Sequence, residues 1–208
     1  MHQKLIQRAM NILMKPTGEW TAIKNETWST QDLFVKYALL LGAIPAVAGF
    51  IGYSLIGVSM LGVTIRYPIG SAIVWTVLQY ALSMGVVFGI AAIMDALAPT
   101  FGAKKDFNTS LKIVVFSWTA SWVGGIFMII PSLSPLAMLA GIYSLVLLYF
   151  GMSSIRDIPK EKMVGYFITV LVLAIVLAVV VGIISGLALG GAGAAAAATT
   201  SEMMRSLH

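Results

Sequence analysis

The stretch Asp95-Ala-Leu-Ala-Pro-Thr-Phe-Gly-Ala-Lys-Lys105 decides the fold. It ends a long apolar run of the chain, first with an acid, then with proline and glycine, then with two lysines. Proline and glycine stop a helix, and paired lysines mark the end that stays in the cytoplasm. The residues before it read as chain entering and crossing a bilayer. The residues after it read as helical hairpins that return to the same side.

Composition agrees. The 208-residue chain is 59% hydrophobic and 10% charged, with a mean hydropathy of +0.95. A soluble domain carries about 25% charged residues, so this chain has too few to cover a water-facing surface. There is no cysteine, which excludes disulfides, thiolate nucleophiles and cysteine-ligated metals. The two histidines, His2 and His208, stand at the extreme ends, away from any bundle interior. The net charge of +5 reads as lysines and arginines on loops, not as a nucleic-acid surface. The first thirty residues lack the continuous apolar core of a cleavable signal peptide.

The expected fold is all-α: a polytopic membrane bundle of five transmembrane helices preceded by an amphipathic, interfacial helical segment. Residues 1–30 form that segment. Leu5, Ala9, Ile12 and Leu13 share one helical face and Lys4, Arg8, Asn11 and Lys15 the other, a spacing that suits either the headgroup layer or packing against the bundle. Trp20 and Trp28 are placed as interface anchors. Residues 31–192 hold spans at about 33–58, 70–98, 110–130, 134–152 and 164–190, each long enough for about 30 Å of hydrocarbon. Ser29 with Asp32 resembles a capping box for the first span; Asp106 and Asn108 are candidate caps of the third, with Asn108 or Thr109 favoured over Asp106. Pro45 predicts a kink, and 62–70 reads as a short polar connection. Residues 193–208 form an Ala-rich tail that either prolongs the last helix or frays.

Five spans gather all but Arg66 and Arg205 of the 13 lysines and arginines on one side. The expected localisation is therefore the cytoplasmic membrane, with the N-terminus cytoplasmic and the C-terminus outside. Small residues recur along the fifth span at Ala174, Ala178, Gly182, Gly186 and Gly190, and the second offers Gly85 and Gly89. Such a ladder allows close helix packing, either within one protomer or across a homo-oligomer seam.

Asp95 is the only acid inside an apolar run, and such residues usually have a functional or pairing reason. The readings are a structural pair with Lys104 or Lys105, or an ion- or proton-linked role. Lys4, Arg8, Lys160 and Lys162 are candidates for anionic headgroups. Metal-binding HExxH, phosphate-cradling and GxSxG signatures are absent, so neither catalytic residues nor a cofactor nor a metal is expected.

Four pieces carry a resemblance: Asn11-Ile-Leu-Met-Lys-Pro-Thr-Gly-Glu-Trp20, Leu97-Ala-Pro-Thr-Phe-Gly102, Pro131 through Pro135, and Gly141-Ile-Tyr-Ser-Leu-Val-Leu-Leu-Tyr-Phe-Gly151. In this order and spacing the chain resembles a prokaryotic member of the Yip-domain family, five-span membrane proteins named for interaction with Ypt/Rab GTPases in eukaryotes. The resemblance implies a cytoplasmic N-terminus and, from eukaryotic relatives, roles in membrane trafficking and shaping. The expected function is a non-enzymatic protein that organises membrane or partner proteins in the lipid bilayer. The alternative is a small-solute or ion transporter or channel component using Asp95.

Overall fold

The computed structural model describes residues 2–60 and 63–205, with side chains placed over 5–59 and 63–187. The side-chain surroundings of Lys4 and Gly190, and residues 206–208 of the tail, lie outside the described residues. Five helical segments are long and apolar enough to cross a membrane: Thr30–Ile56, Ile69–Phe101, Phe107–Ile129, Pro131–Ile155 and Lys160–Leu187. Two shorter helices precede them, α1 (His2–Met14) and α2 (Pro16–Asn25). The fifth helix continues along the backbone to Arg205, so the Ala-rich stretch prolongs it.

The third span is the hub. Every residue from Ser110 to Ser117 is buried, with the first, second and fourth spans packed around it. The fifth span is the opposite case: apolar on all sides and almost wholly exposed, as a helix facing lipid should be. A hydrogen bond from the Tyr166 hydroxyl to the Met94 carbonyl, 2.5 Å long, ties it to the second span.

Local chemistry sets the span ends. Ser29 accepts from the Asp32 amide at 3.0 Å and opens the first span. Gly102, at φ +92°, closes the second in the left-handed conformation that L side chains avoid. The third starts earlier than expected, at Phe107, because its cap is Asp106 and not Asn108 or Thr109. The Asp106 carboxylate accepts from the Thr109 amide at 3.0 Å. That span is also not one continuous α-helix. It breaks at Trp118 and tightens to a 3₁₀ turn over Gly125–Ile129.

Two further expectations are corrected. Val58 does not end the first span: it begins a short antiparallel hairpin, Val58–Met60 with Val63–Ile65, which we term β1 and β2. Trp20 does not anchor at an interface. It is fully buried, its ring seated over Gly151, where an added Cβ would come within 2.6 Å of the indole. Ala9, Ile12 and Ile23 are buried with it, so α1 and α2 take the packing alternative. They fold as a helical hairpin along the bundle. Tyr143 donates to the Leu13 carbonyl at 2.9 Å, about 18 Å of helical rise inside the Ile155 end of its span.

The fifth span packs on the second, with Leu177 against Gly89 and Ala174 partly buried against the core, but Gly182 and Gly186 of the ladder are not in close contact. Gly182, Gly186 and Gly85 have no neighbour near the position of a Cβ, and only Gly89 meets the fifth helix, at Leu177. The tight approach is that of the first span to the third, where a Cβ on Gly52 would collide with the Met128 carbonyl oxygen and one on Gly125 would lie 2.5 Å from Pro45. Backbone cannot yield as a flexible side chain can. Gly52→Ala is therefore expected to cost about 1–3 kcal/mol through overpacking. Gly182→Ala, in open space, is expected to be neutral or slightly stabilising. Thermal unfolding of the two variants in the same detergent checks the contrast.

Candidate functional site: two polar clusters and an intramembrane cavity

Arg156 holds the first cluster. It stands in the connection that follows the fourth span, yet it is only 6% exposed. Its guanidinium donates to the Lys104 carbonyl at 2.8 Å, the Asp106 carbonyl at 3.3 Å and the Ser110 hydroxyl. It also pairs with the Asp95 carboxylate at 3.5 Å. Asp95 in turn accepts the Asp106 amide at 2.6 Å. The partner of Asp95 is thus Arg156, not Lys104 or Lys105, whose side chains are exposed and enter no ion pair among the described residues. A buried guanidinium is stable when most of its donors are matched in this way; here both terminal nitrogens are engaged and only Nε lacks a partner among the described residues. One side chain gathers the end of the second span, the start of the third and the end of the fourth.

The second cluster fixes the α1–α2 hairpin. Arg8 pairs with Glu19 at 2.5 Å and also with Glu26. Its guanidinium lies 5.9 Å from the centre of the Phe116 ring. Trp28 donates to Glu26 at 2.8 Å. Lys112, buried within the third span, donates to the carbonyls of Glu26 at 2.8 Å and Ile23 at 3.3 Å. A cation here adds a donor to the carbonyls at the end of α2 and matches the negative pole of that helix. Arg8, expected among the headgroup cations, is engaged within the protein. Lys160 and Lys162 are exposed and enter no ion pair among the described residues.

Both clusters depress carboxyl pKa values outside the spans. Burial pushes the Glu26 carboxyl up, but hydrogen bonds from Arg8 and Trp28, with the charges of Arg8 and Lys112, outweigh it and hold it below its ordinary value. Burial also pushes Asp106 up, and the Thr109 hydrogen bonds with the Arg156 charge bring it below.

At the opposite end the first, second and fifth spans enclose a cavity of about 900 Å³. Its wall is mostly apolar and includes Pro45, Phe50, Trp75 and Val86, with hydroxyl and amide groups interspersed. Ala178 and Gly182 of the small-residue ladder line it as well. No lining residue is charged. Among the described residues no cluster of histidine, aspartate and glutamate could hold a metal ion.

The sequence model of the Yip1 domain family matches residues 10–198. No curated protein matches the chain. No solved structure matches it either.

Lys112→Met removes the donor to the Glu26 carbonyl and one of the two donors to the Ile23 carbonyl, and is expected to cost about 1–3 kcal/mol. The sign of the pH effect follows from the lowered pKa values of Glu26 and Asp106. Their stabilisation is complete above the unfolded-state values and is lost as pH falls through the folded-state values, below about pH 4. Thermal unfolding from pH 7 downward should show that loss in the wild type, and Glu26→Gln with Asp106→Asn should flatten it.

Proposed function

Because the chain belongs to the Yip1 domain family, we propose that this multi-pass membrane protein is non-enzymatic and organises lipids and partner proteins at its lysine-bearing end. The carrying observation is the state of four lysines. Lys104, Lys105, Lys160 and Lys162 are exposed, free of ion pairs among the described residues, and mounted on two connections that Arg156 clasps together. A lysine near an anionic membrane surface gains about 1 kcal/mol. Four on one rigid rim therefore favour anionic headgroups by about 4 kcal/mol.

The α1–α2 hairpin supports the same reading. Beside its buried face, α1 presents Ile6, Met10 and Met14, all exposed and spaced four residues apart. That stripe suits lipid or the surface of a membrane partner, so the hairpin widens the bundle on one side of the bilayer. Partners in this reading are anionic lipids and other membrane proteins, a second copy of the chain included. The lysine side is cytoplasmic by the distribution of charge, which puts the N-terminus inside and the far end of the fifth span outside. The transporter reading finds less support, since Asp95 is already committed to Arg156 and the Asp106 amide.

Reconstitution tests the proposal. In vesicles containing phosphatidylglycerol the wild type is expected to change vesicle size and shape, seen by electron microscopy. The variant with all four lysines changed to glutamine is not, and neither protein is expected to pass protons or ions. A flux that disappears in a folded Asp95→Asn variant would overturn the organising role.

A further inference from the structure

The cavity between the first, second and fifth spans is built of unlike parts. The first-span wall is irregular. Pro45 interrupts its hydrogen bonding, and residues Ile51–Ile56 form a π-helical turn, a geometry that often marks functional positions. Ser54 sits in that turn. It is 5% exposed, lines the cavity, and its hydroxyl has no hydrogen-bond partner. A buried hydroxyl without a partner is costly away from water. The helical serines elsewhere on the wall are satisfied: Ser71 donates to Pro68, Ser83 to Tyr80 and Ser185 to Val181.

Size, charge and access then restrict the occupant. About 900 Å³ is the volume of a site for a medium to large organic ligand. With no charged lining residue, a phosphate or ammonium would lose its hydration without compensation. The fifth-span wall is made of Ala178, Val181, Gly182 and Ser185; of these Ala178 and Gly182 are exposed, with nothing near the Gly182 Cβ position. The cavity is therefore open sideways, at the level of the hydrocarbon, next to small residues. It runs from Ser54 and Ser71, near the end of the bundle opposite the lysines, to Gly42 and Val86 in its middle. We propose that this cavity is a binding site for one uncharged membrane lipid, of the diacylglycerol or long-chain alcohol class. Its hydroxyl or carbonyl hydrogen-bonds Ser54, and its chain lies along Pro45, Phe50 and Val86. The site is separate from the lysine rim and does not depend on the function proposed for it.

A photoreactive, diazirine-tagged diacylglycerol, added to the full-length protein in nanodiscs, tests this. Labelled residues are mapped by mass spectrometry, with tagged phosphatidylglycerol as the charged control. The expected result is saturable labelling of the first span over 45–54 and the fifth over 178–185, competed by untagged diacylglycerol. Gly182→Phe, which places a ring in open space, is expected to lower that labelling about tenfold, and Ser54→Ala about fivefold, roughly the worth of one hydrogen bond. Unchanged melting temperatures show that both variants are folded. Labelling that does not saturate, is equal in wild type and Gly182→Phe, or is as strong with phosphatidylglycerol would overturn the proposal.

Discussion

A charge carried into a bilayer protein keeps its place only if the chain supplies what water no longer does. Arg156 is where this constraint is most visible. One side chain takes a carboxylate, two loop carbonyls and a hydroxyl, and by doing so holds three span ends in register. Remove its acceptors and a guanidinium is left in a nearly dry pocket. Remove the guanidinium and Asp95, in the last turns of an apolar helix, loses its counter-charge. The acid in the apolar run and the arginine in the loop are parts of one structural device.

The same rule accounts for the N-terminal hairpin. Apolar packing alone gives little preference between protein and lipid, since both are apolar. What distinguishes the docked position of α1 and α2 is polar matching: Arg8 between two glutamates, and Lys112 on the carbonyl end of α2. Trp20 over Gly151 then adds shape. The two clusters stiffen one end of the bundle and leave its exposed lysines on a fixed frame. The far end, with a proline kink, a π-turn and a cavity, is built in the opposite way.

Span number and family were legible in the sequence because bilayer thickness sets a long, repetitive hydropathy signal. The importance of Asp95 was legible too, since an acid in an apolar run must have a partner. Which partner was not: Lys104 and Lys105 are near in sequence, but Arg156 is brought in by the packing of the fourth span. Small residues misled for a related reason. A ladder at 174–190 says that a helix can be approached, not at which rung: Ala174 packs against the core, while Gly182 and Gly186 face open space. The glycines that do meet neighbours, among them Gly42, Gly52, Gly89, Gly124, Gly125 and Gly151, make contacts decided by the three-dimensional arrangement. The hairpin of Val58–Ile65 was hidden because Val58 continues the apolar run of the first span. The cavity had no sequence signature at all, its walls coming from three separated spans.

Hydrogen–deuterium exchange in nanodiscs tests the Arg156 clasp most directly. If one guanidinium holds both connections, Arg156→Gln should speed exchange about 10- to 100-fold at 103–106 as well as at 156–159, while 63–68 at the other end keeps its wild-type rate. Faster exchange confined to 156–159, with 103–106 unaffected, would contradict the account.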